Sequence, residues 1–297
     1  MYALGNCIYN VHLCGHHFFM DKKLLSWSLF IALCFIWGSS FFLMKLGSRG
    51  LSSPQIASLR IFTASIIFVP LAIKHFPKIP RNKRAYTMLG GLFGNLIPAY
   101  CFAVAITRID SYLEGILNSL TPLWVIFIGI LFFRDKVKPL KIAGVLIGFA
   151  GLCLLTFTQA SIKLDNLAYT LLVIGGTLSY GLNINIVGHH LKGINPIYLT
   201  SVSLAAVCIP AACLLGYHDF FSLNFTNKVV LQSVLATMLL GIAASSAATF
   251  LFYRLVQLQG GLFASMVTYG IPFVALLWGL LDGETVSITE ILCLPKH

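Results

Sequence analysis

The stretch AYCFAVAITRIDSYLEGILNSLTP, Ala99–Pro122, is matched without a gap by TFLFYRLVQLQGGLFASMVTYGIP, Thr249–Pro272, at an offset of 150 residues. Further pairs follow in order along the two halves of the chain: Gly91 with Gly241, Gly129 with Gly279, Trp37-Gly38 with Tyr180-Gly181, and Pro54 with Pro196. Each match is weak alone, but their common order predicts an internal duplication.

Composition places the duplicated halves in a membrane. The chain has 297 residues, of which 58% are hydrophobic and 10% charged, whereas soluble domains carry about 25% charged residues. A bilayer span needs about 20 mostly apolar residues. Windows of this kind are Leu24–Met44, Pro54–Ile73 (interrupted only by Arg60), Ala85–Thr107, Gly115–Phe133, Ile142–Ile162, Asn166–Leu191, Gly193–His218, Val229–Tyr253 and Leu255–Leu281. We predict spans 1 to 9 there, all helical, because barrel strands alternate over about 10 residues.

The number of spans in each half predicts their relative orientation. The first half, residues 24–158, holds five spans, and an odd number makes the second half, residues 166–294, enter from the opposite side. We therefore predict an all-α integral membrane protein of two inverted five-helix repeats, preceded by an extension at residues 1–23. Such repeats can open one central site to each face in turn, which favours a transporter.

The last span of the second repeat is expected to be incomplete. Only Thr285–Leu294 precedes Pro295, and ten helical residues rise about 15 Å, half of the roughly 30 Å hydrocarbon core. The sequence thus predicts a ten-helix transporter fold with helix 10 truncated to a stub, and nine full transmembrane helices.

Basic residues predict the orientation in the membrane. With the N-terminus inside, thirteen Lys and Arg fall in inner loops and five in outer loops, so we expect a cytoplasmic N-terminus in the cell (inner) membrane.

The net charge of +11 is spread over short loops, which argues against a nucleic-acid partner. No CxxC pair occurs, and neither a cofactor nor a metal is predicted, although His12, Cys14, His16 and His17 could bind a metal in principle.

Small and uncharged polar residues interrupt corresponding spans of the two repeats. They are Trp37 to Ser40 in span 1, Gly90, Gly91, Gly94, Asn95 and Pro98 in span 3, Gly175 to Asn185 in span 6, and Gly241, Ser245, Ser246 and Thr249 in span 8. Such residues allow close helix packing, and they also line wet cavities. The amides are the stronger cavity candidates, because an unpartnered amide in hydrocarbon costs roughly 2–7 kcal/mol.

Several motifs resemble the EamA-type half of the drug/metabolite transporter superfamily. They are WGSSFFLMKLG with LSSPQIASLRIFTAS, NSLTPLWVIFIGILFFRDKV, and KIAGVLIGFAGLCLL. The resemblance covers about residues 24–290, twice over. It implies a ten-helix fold with both termini cytoplasmic, a central cavity between the halves, and export or exchange of small metabolites, often amino acids or related compounds. The stub in place of helix 10 departs from the family pattern.

Two charged residues inside spans break the symmetry of the repeats. Arg60 matches the apolar Val202, and Glu114 matches Ala264. Arg60 could hold a substrate carboxylate, or it could snorkel to the outer surface. Glu114 is a candidate for proton coupling, but Ser111 and Glu114 also form a capping-box pattern at the start of span 4. The sequence alone does not decide between the two alternatives for either residue.

Aromatic and proline residues also pair between the repeats. Trp37 and Tyr180 lie near mid-span, where they can form aromatic walls of a cavity or pack in a core. Pro122 and Pro272 are predicted to be matched helix kinks.

These considerations predict a secondary-active transporter of small metabolites. The substrate-binding residues that we predict are Trp37, Ser40, Arg60, Asn95, Asn118, Tyr180, Asn183, Ser245 and Tyr269. The expected partners are a small-molecule substrate and the lipid bilayer, with a homodimer left open. The alternatives are a membrane-embedded enzyme and a structural or sensory membrane protein. No span contains His-x-x-x-His or paired acids, so an enzyme is not expected, and the absence of a P-loop excludes a self-contained ATP-driven pump.

Overall fold

In a computed structural model, residues 21–106, 108–109, 111–157 and 167–281 are described. Within these residues the chain forms helices and connecting loops, with no β-strand. The helices are α1 (Lys22–Gly47), α2 (Ser53–Ile66 and Val69–His75), α3 (Arg81–Gly91, Leu92–Leu96 and Ile97–Ala105), α4 (Ser111–Asn118 and Thr121–Phe133), α5 (Pro139–Phe157), α6 (Leu167–His189), α7 (Pro196–Ala206 and Cys208–Tyr217), α8 (Lys228–Leu240, Gly241–Ala247 and Ala248–Gln259) and α9 (Gly261–Ser265 and Val267–Leu281).

These helices stand at the nine positions where spans are predicted. Six of them are long and apolar enough to cross a membrane, and the two parts of α2, bent by 49°, make a seventh if they count as one span. The apolar parts of α5 and α9, Pro139–Cys153 and Gly261–Ala275, are shorter. The prediction of an all-α membrane protein is confirmed, and the count of nine full spans only in part. The extension and the stub lie outside the described residues.

The boundary between spans 8 and 9 was predicted wrongly at Arg254. Helix α8 continues to Gln259, and the chain turns at Gly260, whose φ of +87° is a conformation that favours glycine. Arg254 is an exposed residue within the last part of α8, Ala248–Gln259. A long basic side chain can lie along an apolar helix and reach polar surroundings, so a lone Arg does not end a helix.

Corresponding helices of the two halves carry the same irregularities. Both α2 and α7 begin with a proline in the first turn, after Ser52 and Asn195 respectively, and both break near the middle. Helices α3 and α8 each contain a π-helical segment, Leu92–Leu96 and Gly241–Ala247. Segments of this type are rare and occur frequently at functional sites.

The paired glycines make equivalent close contacts. A Cβ atom on Gly91 would lie 1.9 Å from the carbonyl oxygen of Ser203 on α7, and one on Gly241 would lie 2.5 Å from that of Arg60 on α2. Gly38 and Gly181 meet Val274 of α9 and Trp124 of α4 in the same manner, at 2.5 and 2.6 Å. Each glycine therefore brings its helix against the opposite half. The two halves thus pack closely against each other around the centre of the molecule.

Candidate functional site

A cavity of about 100 Å³ lies at the centre, between the two halves. Among the described residues, all helices except α5 and α7 contribute to its wall. The lining residues are Trp37, Ser40, Phe41, Met44, Arg60, Ile61, Gly94, Asn95, Pro98, Ala99, Phe102, Asn118, Thr121, Tyr180, Asn183, Ile184, Ala244, Thr249, Phe252, Tyr253, Ser265, Thr268 and Ile271. Most of this wall is apolar or aromatic, and a few polar groups face inward, as is typical of small-molecule sites.

Most of the predicted substrate-binding residues come together in this wall. Trp37, Ser40, Arg60, Asn95, Asn118, Tyr180 and Asn183 all line the cavity. Ser245 does not line it, but its Oγ accepts a hydrogen bond of 3.1 Å from Nε of Arg60. It therefore orients a lining residue.

Tyr269 lies elsewhere, between α9 and α5. Its hydroxyl donates a hydrogen bond of 2.9 Å to the carbonyl oxygen of Val145, and its ring packs against Gly148. The preceding residue, Thr268, lines the cavity instead. One residue along an α-helix is a rotation of about 100°, so an error of one position moves a side chain off the cavity face.

Arg60 carries a positive charge into the cavity. Its side chain is partly exposed, and it lines the cavity. Besides the Nε contact with Ser245, Nη1 lies 4.0 Å from the sulfur of Met44. Among the described residues, no carboxylate lies within ion-pair distance of this guanidinium. It is oriented by a neutral hydroxyl and retains donors that can bind a ligand.

Three amide side chains of the wall each leave one buried polar atom without a partner. These atoms are Nδ2 of Asn95, Oδ1 of Asn118 and Oδ1 of Asn183, on residues that are 6%, 7% and 4% exposed. Buried polar groups are nearly always hydrogen-bonded in proteins, and exceptions mark an unseen ligand or water. Asn185 provides a contrast, since its Nδ2 donates to the carbonyl oxygens of Val125 and Gly181. Asn185 therefore serves packing, whereas Asn95, Asn118 and Asn183 each keep one polar atom that can hydrogen-bond to a ligand.

Two aromatic pairs form the bulk of the apolar wall. The Trp37 ring lies 5.2 Å from that of Phe252, and the Tyr180 ring lies 5.9 Å from that of Phe102. The indole nitrogen of Trp37 donates a hydrogen bond of 2.9 Å to the carbonyl oxygen of Ala244, in the π-helical segment of α8. The π-helical segment thus supplies the acceptor that fixes the Trp37 ring.

Glu114 is fully buried on α4, at 0% exposure, and neither carboxylate oxygen has a hydrogen-bond partner. The capping box that its spacing suggested is not formed, because a capping glutamate would accept a backbone N–H. A buried carboxyl group without donors is costly in its charged form, which makes it a candidate for proton binding.

The two prolines differ in their local structure. Pro122 lies in the first turn of the second part of α4, directly after the break that follows Asn118, whereas Pro272 lies inside the second part of α9. The break in α9 comes earlier, at Met266. Both helices are interrupted, but the prolines do not mark the same point in each.

The repeat itself identifies lining residues that were not predicted. Five pairs of lining residues are separated by 150 positions: Gly94 and Ala244, Ala99 and Thr249, Phe102 and Phe252, Asn118 and Thr268, and Thr121 and Ile271. Applying the offset to Asn118 would have selected Thr268 in place of Tyr269. The offset could therefore have found Thr268, whereas Thr249 and Phe252 pair with Ala99 and Phe102, which were not predicted to line the cavity.

Comparison with known proteins agrees with this architecture. The model of the EamA-like transporter family matches residues 25–157. Residues 25–157 therefore form an EamA-like transporter domain, in agreement with the motifs of the drug/metabolite transporter superfamily in this half of the chain. It is 25% identical to an "Uncharacterized transporter" of Archaeoglobus fulgidus, over 89% of this chain and 93% of that protein.

Two further similar proteins are bacterial. It is 26% identical to the "Uncharacterized transporter YoaV" of Bacillus subtilis, over 88% of this chain and 90% of that protein. It is 23% identical to "Protein PagO" of Salmonella typhimurium, over 83% and 81% respectively. A solved crystal structure has the same fold, with a TM-score of 0.67 at 15% identity, covering 90% of this chain and 91% of that one. The chain is a membrane transporter.

Proposed function

We propose that this transporter moves amino acids or related small metabolites across the cell membrane by secondary-active alternating access. The observation that carries the proposal is the central cavity, in which Arg60 and three amides with unpartnered atoms face an apolar wall. A ligand of matching chemistry has a carboxylate for Arg60 and Asn95, hydrogen-bond donors for Asn118 and Asn183, and an apolar side chain.

The transport mechanism rests on the two repeats, residues 24–158 and 166–294, which we propose to be inverted around the cavity. Matched glycine contacts, matched breaks in α2 and α7, and matched π-helical segments in α3 and α8 support this relation. If the halves are equivalent, each can adopt the conformation of the other, and the cavity then opens to the opposite face. The loop charges support a cytoplasmic N-terminus.

The aromatic side chains and Ser245 have supporting roles in this proposal. Trp37 and Tyr180 flank the ligand on opposite halves, while Ser40 adds a hydroxyl to the wall. Ser245 positions the Arg60 guanidinium. Tyr269 contributes to the packing of α9 on α5 and is not proposed to touch the ligand.

Counterflow in proteoliposomes tests this function. Vesicles loaded with unlabelled L-phenylalanine should accumulate external radiolabelled L-phenylalanine transiently, because the unlabelled substrate inside competes with the label for exit through the carrier. The Arg60→Ala variant, reconstituted at equal density, should lose this overshoot. Hydrolysis or modification of the label without accumulation would indicate an enzyme, and neither flux nor turnover with a panel of amino acids would contradict the proposal.

A further inference from the structure

The wall of the central cavity carries one charge. Arg60 is the one charged side chain among the described residues that line it, and the lining phenols of Tyr180 and Tyr253 belong to a class of group that is neutral at neutral pH. The guanidinium of Arg60 contacts the neutral hydroxyl of Ser245 and lies 4.0 Å from the sulfur of Met44. Neither group offsets its charge, so one negative charge on a ligand makes the occupied cavity neutral.

Glu114 does not supply this negative charge. The residue is fully buried and does not line the cavity, and neither of its carboxyl oxygens has a hydrogen-bond partner. A carboxyl group in such surroundings is stable as the uncharged acid, because burial without donors penalises the carboxylate. The ligand itself must therefore supply the anion.

The acceptors that face the rest of the ligand are uncharged. Oδ1 of Asn118 on α4 and Oδ1 of Asn183 on α6 have no partner, and both residues line the cavity. A hydroxyl group satisfies such an oxygen with one hydrogen bond and brings no charge. An ammonium group brings a full positive charge that neutral oxygens do not offset, and a buried charge without a counterion is costly.

The covalent structure of an α-amino acid increases this difference. Its ammonium group is bonded to the carbon that carries the carboxylate, so a carboxylate bound to Arg60 holds the ammonium group close to the guanidinium. Two positive charges then share a cavity of about 100 Å³ with a mostly apolar wall, where charges interact more strongly than in water. A 2-hydroxy acid of the same skeleton presents a neutral hydroxyl group at that position.

We infer that the cavity selects carboxylates whose second polar group is an uncharged hydrogen-bond donor, as in 2-hydroxy acids with an apolar side chain, over the corresponding zwitterionic amino acids. This inference rests on the proposed function, because it places the ligand carboxylate at Arg60. Among amino acids and related metabolites, it names the members that bind most tightly.

Two ligands that differ in one group test this preference. L-3-Phenyllactate carries a hydroxyl group where L-phenylalanine carries an ammonium group. Titration calorimetry of the purified protein at neutral pH should give a dissociation constant for L-3-phenyllactate at least about tenfold below that for L-phenylalanine. Hydrocinnamate, which lacks the donor, should bind more weakly than L-3-phenyllactate, because an amide oxygen of the wall then stays unpaired. Equal affinities for L-3-phenyllactate and L-phenylalanine, or tighter binding of L-phenylalanine, would overturn the inference.

The Asn118→Asp variant should reverse the preference. Asp has nearly the shape of Asn and adds a carboxyl group that can ionise against an ammonium group, so L-phenylalanine should gain affinity and L-3-phenyllactate should lose it. Asn183→Asp provides the same test on α6 if Asn118→Asp does not fold. Asn82→Asp is the matched control, because this exposed residue at the start of α3 adds the same charge outside the cavity and should leave the ratio of the two dissociation constants unchanged.

The outcomes separate this inference from the proposed function. A preference for L-3-phenyllactate that persists in both Asn118→Asp and Asn183→Asp would overturn the inference, because the second polar group of the ligand would then lie at neither amide. Tighter binding of L-phenylalanine by the wild-type protein would overturn the inference and leave the proposed function standing. If neither these ligands nor a panel of amino acids binds, the proposed function fails, and the inference fails with it.

Discussion

Nε of Arg60 donates a hydrogen bond of 3.1 Å to Oγ of Ser245, 185 positions later in the chain. The contact joins α2 of the first half to the π-helical segment of α8 in the second. In the same segment, Ala244 accepts the indole N–H of Trp37 from α1. A local irregularity of α8 thus fixes two side chains of the cavity wall that come from the other half.

Replacing Arg60 should weaken transport in graded steps. Arg60→Lys keeps a charge but loses the planar donor fork and the Nε contact with Ser245, so uptake should fall at least about tenfold. Arg60→Ala should lose more. Uptake is measured in proteoliposomes at equal protein density, with Arg81→Lys, an exposed basic position at the start of α3, as the matched control. Unchanged uptake in both Arg60 variants would show that the guanidinium does not bind the ligand.

The Ser245 hydroxyl should matter only through Arg60. Ser245→Ala removes the acceptor of one hydrogen bond, which is worth about 1.5–3 kcal/mol when one partner is charged. Uptake should therefore decline in the wild-type background and stay the same in an Arg60→Ala background. Equal declines in both backgrounds would mean that Ser245 acts independently of Arg60.

The contact between α3 and α7 should not tolerate a methyl group. Gly91→Ala would place its Cβ 1.9 Å from the carbonyl oxygen of Ser203, so the helices must separate, and the free energy of unfolding should fall by about 1–3 kcal/mol. Gly175→Ala is the control, because no atom lies within 4 Å of its Cβ. It should leave the midpoint of thermal unfolding unchanged or raise it. A stable Gly91→Ala protein would show that this approach is not tight.

The predicted orientation is tested by cysteine labelling of intact cells. Cysteines placed at the exposed positions Arg49 and Asn82, on either side of α2, should differ in their reaction with an impermeant maleimide. Position 49 should be modified from outside, and position 82 only after the cells are permeabilised. The reverse pattern would overturn the cytoplasmic assignment of the N-terminus.

Much of the fold follows from the sequence because hydrophobic length and the repeat offset are strong signals. Eight helical positions were predicted from uncharged windows and one from a window interrupted only by Arg60, and paired glycines pointed to contacts that the structure contains. The breaks were harder to predict. The bend of α2 at Ile67 and Phe68 comes just before Pro70, a local signal that the hydrophobic windows did not use.

The site was predictable to the extent that polar groups are rare in spans. Asn95, Asn118 and Asn183 were selected because burying an amide is costly, and all three line the cavity. The direction in which a side chain points from its helix was harder to predict, since Tyr269 was chosen although the preceding residue, Thr268, lines the wall. The hydroxyl of Tyr269 satisfies a backbone carbonyl instead, a contact that requires three-dimensional proximity to α5.

Alternating access of the central cavity is the core of this account, and the accessibility of a cysteine at Ser40 tests it most directly. Ser40 lines the cavity, whereas Ser65 is buried on α2 away from it, so Ser65→Cys is the control. In vesicles of known orientation, an impermeant thiol reagent should modify Ser40→Cys whether it is added inside or outside the vesicles. Bound L-phenylalanine should slow the reaction from each side. Ser65→Cys should not react with the reagent from either side. Modification of Ser40→Cys from one face alone, with or without ligand, would contradict alternating access.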